Sequence, residues 1–187
     1  NNSAYTDTVF VAKISPDGSV GSWSKTASLP ATHADQSTVI ANGYVYSIAG
    51  LYATTVNYAK FQPDGNLTAW QSTNALPVGL SFQSATVANG FMYILGGQIS
   101  SGPTTVSTVY FARINTDGTV SPWATTTSLP SAVQQQSTIA SNGYLYTLGG
   151  TWGTTIYAAR VNANGSLGAW ASAGTTPASR SSGSALL

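Results

Sequence analysis

Residues 36–50 read QSTVIANGYVYSIAG; residues 83–97 read QSATVANGFMYILGG and residues 136–150 read QSTIASNGYLYTLGG. In each stretch a short run reaches Asn-Gly, and a second run of aromatic and aliphatic residues ends on Ala49-Gly50, Gly96-Gly97 or Gly149-Gly150. Asn-Gly supplies two residues that accept φ > 0 and is the strongest short hairpin signal. A first strand over 36–41 and a second over 44–48, with apolar positions at period two, are therefore predicted.

Working outward, a third strand is predicted over 56–61. Asp64-Gly65 turns the chain into a fourth strand over 67–71, which carries Trp70 and is followed by Leu76-Pro77. The same landmarks recur. Trp23, Trp70, Trp123 and Trp170 are spaced by 47, 53 and 47 residues. Asp17-Gly18, Asp117-Gly118 and Asn164-Gly165 precede the other three, and Leu29-Pro30, Leu129-Pro130 and Thr176-Pro177 follow them. Gly and Pro interrupt every window long enough for a helix. Four short strands in a repeat of this length select an all-β propeller built of four-stranded antiparallel blades.

The Gly pair closing the second strand, the aromatic third strand and the Trp shortly before a Leu-Pro pair resemble kelch repeats. Gly96-Gly97, Tyr110, Trp123 and Leu129-Pro130 carry that likeness, which covers essentially the whole chain. One place departs: kelch motifs often have Arg and His where the first strand begins, and this chain has Gln36-Ser37, Gln83-Ser84 and Gln136-Ser137. The resemblance implies a β-propeller in which each Trp packs between wedge-shaped blades.

The chain of 187 residues is thus read as a single array of about 3.75 kelch-like repeats. Third and fourth strands of a partial blade occupy 1–30, whole blades 31–77, 78–130 and 131–177, and the first strand of another blade 178–187. That makes fifteen strands. Such an array is expected to be part of a larger ring, to assemble with copies of itself, or to close alone imperfectly; unpaired strand edges invite pairing.

Composition narrows the chemistry. Charged residues are 6% of the chain and the net charge is +1, so no basic stripe for nucleic acid or anionic membrane is present. Membrane insertion is not expected, because no apolar run approaches the length that spans a bilayer. Cys is absent, which removes thiol chemistry and cysteine metal sites. Low charge with abundant Ser, Thr and Tyr points to an extracellular or cell-surface protein.

Candidate ligand contacts lie on loops. Propellers are expected, by analogy of fold, to bind at the loops joining second to third and fourth to first strands. Tyr5, Tyr52 and Trp152 align there, with Gln98 in their register before a six-residue insertion within 99–106. Flat apolar rings match the C–H face of a pyranose, although such rings also serve to cap a core. Gln36, Gln83 and Gln136 begin the first strands; they line a polar channel for a hydroxyl-rich ligand, or satisfy buried backbone groups. Lys13, Lys60, Arg113 and Arg160 recur at one position, four residues before Asp17, Asp64, Asp117 and Asn164. A surface ion pair or a turn contact within each repeat is expected from that spacing.

Catalysis is not expected. Glycoside hydrolysis usually uses two carboxylates; the chain has no Glu, and three of its five Asp belong to the repeat turns. The copper chemistry of kelch-type galactose oxidases needs Tyr, His and Cys ligands, and a Ser nucleophile would have only His33 as its base. No cofactor or metal is expected. The function expected is a non-catalytic recognition or scaffold module for carbohydrate or protein; the alternative is a self-assembling surface or filament protein.

Overall fold

The computed structural model describes residues 5–99, 104–151 and 153–181, and these form strands, turns and loops with no helix. In chain order the strands are β1 (Phe10–Val11), β2 (Ser24–Lys25), β3 (Ser37–Ala41), β4 (Tyr44–Ile48), β5 (Val56–Lys60) and β6 (Gln71–Ser72). There follow β7 (Leu80–Ser81), β8 (Ser84–Ala88), β9 (Phe91–Leu95), β10 (Gln98–Ile99), β11 (Thr104–Thr105) and β12 (Val109–Arg113). The last are β13 (Ala124–Thr126), β14 (Gln136–Ser141), β15 (Tyr144–Gly149), β16 (Thr155–Arg160) and β17 (Ala171–Thr175).

Three antiparallel four-stranded meanders result: β3-β4-β5-β6, β8-β9-β12-β13 and β14-β15-β16-β17. With the β1-β2 pair they make four successive units. The insertion in the third unit adds a small sheet, β11-β10-β7, that the sequence reading did not contain. The final first strand expected over 178–187 lies largely outside the described residues.

The turns form as their chemistry dictates. Asn42, Asn89 and Asn142 adopt φ of 51°, 51° and 49°, each before a Gly at 79°. The hairpins they close pair in full register, Ala41 with Tyr44 and Ser37 with Ile48 in the second unit.

The first strands stand side by side, β3 next to β8 and β8 next to β14. The units therefore follow one another side by side, and among the described residues their sheets stay separate, with no closed ring. Each inner sheet has a neighbour on both faces, which explains why β4 and β9 are buried almost throughout rather than at alternate positions. The core accordingly lies between units. Met92, Ala112, Ile114 and Val120 of the third unit pack on Tyr46, Ile48, Val56 and Tyr58 of the second. Leu145, Ala159, Val161 and Leu167 of the fourth pack on Tyr93, Leu95 and Val109 of the third. One unit alone would leave half of this surface in water, as in other solenoid arrays.

The expected burial of Trp between units needs correction. Trp70, Trp123 and Trp170 are half-buried at the seams, and Trp23 is 68% exposed. Each half-buried ring keeps one edge in solvent while its N–H reaches the preceding unit.

Candidate functional site

The loops joining second to third strands interleave on one face with those joining one unit to the next. Gly50 N–H donates to Leu80 O, Gly97 N–H to Val133 O and Thr151 N–H to Gln134 O. Close approach explains the Gly pairs: a Cβ on Gly97 would stand 2.8 Å from Cβ of Gln83, and one on Gly96 would be 2.8 Å from Nε2 of Gln136.

The three glutamines differ in their surroundings. Gln83 and Gln136 are each 6% exposed. Gln83 Nε2 donates to Ile48 O at 2.9 Å and Gln136 Nε2 to Leu95 O at 2.7 Å, tying each unit to the one before. Their Oε1 atoms are buried without a protein partner. Gln36 is half-buried. The amide N–H groups of Gln83 and Gln136 thus satisfy buried carbonyls.

The residue before each glutamine carries a signal that the sequence reading missed. Asp35, Phe82 and Gln135 have φ of 57°, 58° and 59°. Phe82 N–H donates to Asp35 O, and Gln135 N–H donates to Phe82 O. Non-glycine residues in this region store strain and concentrate at functional sites. The backbone is held constant while acid, aromatic and amide alternate at its tip. Variability at one aligned position inside an otherwise repeated stretch was the available clue.

Among the loop candidates, Tyr52 and Gln98 are brought together: the Tyr52 hydroxyl donates to Gln98 Oε1 at 3.1 Å. Counted from the Gly pairs, Gln98 stands in the place of Leu51, one residue short of the Tyr52 position. Tyr5 is exposed beside Thr6, which pairs with His33 in the first unit. Trp152 lies outside the described residues.

A cleft of about 120 Å³ opens on this face between the linker leaving the third unit and the sheet of the fourth. Pro130, Ser131, Thr147, Thr151, Thr155 and Tyr157 line it. One junction earlier, Val78 and Ile94 hold the positions of Ser131 and Thr147, and both pack in the core. Exchanging aliphatic groups for hydroxyls opens the cleft and makes its wall polar. Thr147 is itself buried, and its hydroxyl lies 3.5 Å from that of Thr138.

The recurring carboxylates are satisfied inside their turns. Asp17 accepts from the backbone N–H and hydroxyl of Ser19, Asp64 from the side-chain amide and backbone N–H of Asn66, and Asp117 from both groups of Thr119. Those bonds favour the anion and hold all three below the usual carboxylate range. Each Asp thus bonds within its own turn to the residue two positions on, and Lys60 lies 5.8 Å from the ring centre of Tyr44. His33 Nδ1 is 3.3 Å from Ala49 O. Among the described residues no group of three His, Asp or Glu is placed to hold a metal ion. None of their elements is a helix long and apolar enough to cross a membrane.

No family model matches the chain, and no curated protein matches it. Among solved structures it is similar to that of YjhT, with a TM-score of 0.64 at 16% identity. The match covers 79% of this chain and 53% of that one, so the chain spans about half the length of its structural relative. At that identity the likeness is one of fold.

Proposed function

We propose that the chain is a non-catalytic recognition module, exported or displayed at a cell surface, that binds carbohydrate through its loop face. The cleft beside Thr147 carries this reading: hydroxyls replace the aliphatic side chains that fill the same place one junction earlier. Drug-sized ligands occupy roughly 300–1,000 Å³. A cleft of about 120 Å³ suits one edge of a terminal sugar, with its hydroxyls meeting Thr147, Thr155 and Tyr157. Tyr52 and Gln98 add a second polar-aromatic patch on the same face.

The architecture we assign is a kelch-type β-propeller array. Consecutive four-stranded meanders, first strands side by side and a Trp at each seam support it, with blades at 31–77, 78–130 and 131–177. A non-catalytic role is supported by the carboxylates: Asp17, Asp64 and Asp117 are held as anions in turns, the opposite of the raised pKa a general acid needs.

The test is an array of mono- and oligosaccharides, followed by calorimetric titration with the strongest binder. Saturable binding that Thr147→Ile abolishes is expected. No binding on the array, or binding that Thr147→Ile leaves intact, rejects this site.

A further inference from the structure

Three non-glycine residues stand in a row across the loop face. Phe82 N–H donates to Asp35 O at 3.2 Å, and Gln135 N–H donates to Phe82 O at 2.9 Å. The tips of the second, third and fourth units thus form one hydrogen-bonded ladder. Their φ values of 57°, 58° and 59° match. Equivalent backbones bonded in this way send their Cβ atoms to the same side, with successive rungs about 5 Å apart. A turn that needs only φ > 0 is served by Gly or Asn, as at Asn42-Gly43, Asn89-Gly90 and Asn142-Gly143. The ladder instead holds an acid, an aromatic ring and an amide in that region, and a bulky residue such as Phe82 is a poor occupant of it.

A second aromatic is fixed beside the first two rungs. Leu51 N–H donates to Ala34 O at 3.1 Å, and Tyr52 N–H donates to Ser81 Oγ at 2.9 Å. Residues 51 and 52 therefore lie against the residues that precede Asp35 and Phe82. Tyr52 is itself held at φ of 58°, and its hydroxyl is tied to Gln98. Phe82 is half-buried and belongs to none of the three apolar clusters of the core. Asp17, Asp64 and Asp117 spend their carboxylates on turn partners. The Asp35 carboxylate has no such bond, and no ion pair, among the described residues. All of these contacts join the second, third and fourth units.

We propose that this ladder binds an organic ammonium group, at a site separate from the cleft beside Thr147. The cation pairs with the Asp35 carboxylate and lies against the Phe82 ring one rung away. A cation held by a ring sits within about 6 Å of its centre, and a rung spacing of about 5 Å meets that limit. The Gln135 amide, on the far side of the ring, meets the polar remainder of the ligand. Each rung reads one property: charge, an aromatic face, a hydrogen bond. An amino sugar and a quaternary ammonium headgroup both supply the group. The site does not rest on the carbohydrate reading of the cleft.

Nuclear magnetic resonance titration with glucosamine, choline and glucose tests this, at about pH 6, where an amine and an Asp carboxylate are both charged. Saturable shifts at Asp35, Tyr52 and Phe82 are expected with glucosamine or choline, with a dissociation constant on the order of 1 mM, and none with glucose at those residues. Asp35→Asn keeps the shape and suits φ > 0, so the fold survives; it should weaken binding at least about tenfold. Phe82→Leu should weaken it about fivefold. Thr147→Ile should leave it unchanged. Tighter binding of glucosamine identifies an amino sugar as the source of the ammonium, and tighter binding of choline a quaternary headgroup; either supports the site. No shift with either probe up to about 50 mM overturns the proposal. So does glucose that binds these residues as tightly as glucosamine, or binding that Asp35→Asn or Phe82→Leu leaves unchanged. Loss of ammonium binding in Thr147→Ile would place the cation in the cleft and also overturns it.

Discussion

The indole N–H of Trp70 donates to the carbonyl of Ala27 at 2.9 Å, across 43 residues of chain and from one unit to the one before. The bond is directional, whereas the apolar packing around it is not. Its repetition at Trp123 and Trp170 fixes the angle at which each sheet meets its predecessor. The recurring Trp is thus a repeated hydrogen bond as much as a repeated volume.

Two substitutions separate these contributions. Trp70→Phe keeps a ring but removes the donor, leaving a carbonyl to be satisfied by water, and should cost about 1 kcal/mol. Trp70→Ala also removes half-buried apolar surface and should cost about 2–4 kcal/mol, below the value for a fully buried ring. Chemical denaturation measures both. Equal losses in the two variants would mean that packing contributes nothing measurable.

The glycine pairs offer a contrast of sign. Gly97 has φ of 97°, and a Cβ there would stand 2.8 Å from Cβ of Gln83 and 2.9 Å from Ser81 O. Gly97→Ala should destabilise by about 2–4 kcal/mol through strain and overlap. Ala49 occupies the place of Gly96 and is held at φ of 53°. In Ala49→Gly the relief of that backbone offsets the added freedom of the unfolded chain, so stability should shift by less than about 0.5 kcal/mol. Thermal unfolding of the pair is a direct check.

Much of the fold was legible because turn chemistry is local. Asn42-Gly43 and its repeats announce their hairpins, and Asp64-Gly65 its turn, without reference to anything distant. Long-range facts were not legible in the same way. That Trp23 is exposed while Trp70 is half-buried depends on what stands beside each unit, which residues within the unit do not encode. The extra sheet formed by Leu80–Ser81 and Gln98–Ile99 depends on where the insertion folds back. At the candidate site, the pairing of Tyr52 with Gln98 was anticipated only as a shared loop position. The cleft beside Thr147 arises from a hydroxyl-for-aliphatic exchange that looks conservative in sequence and changes both volume and polarity.

Titration at both ends of the pH scale should weaken the fold by different groups. Burial pushes the hydroxyls of Tyr46 and Tyr93 up to about 12. Their folded pKa lies above the unfolded value of about 10. That stability is complete below about pH 10 and lost as pH rises through the folded value of about 12. Asp17, Asp64 and Asp117 work in the other direction, because bonds from their turn partners hold them low. Their contribution is complete above about pH 4 and disappears as pH falls further. Tyrosine absorbance followed alongside circular dichroism should show a late-titrating class that ionises only as the sheets unfold. Complete tyrosine titration below pH 11 with the fold intact would contradict the burial of Tyr46 and Tyr93.

Filling the cleft provides the sharpest separation of stability from binding. Thr147 is 4% exposed, and its counterpart one unit earlier is the fully buried Ile94. Thr147→Ile therefore places an aliphatic side chain where the repeat already accommodates one. It gives up only a 3.5 Å hydroxyl contact with Thr138. Stability should rise by about 0.5–1.5 kcal/mol, the usual gain for filling a cavity, and the melting temperature by about 1–6 °C in a chain of this size. A destabilised variant that lost binding would be ambiguous, since a damaged fold loses every function. A variant that melts higher and no longer binds sugar has lost the cleft alone. If instead it melts lower, the hydroxyl of Thr147 supports the wall of the cleft, and the space beside it does not behave as a removable void.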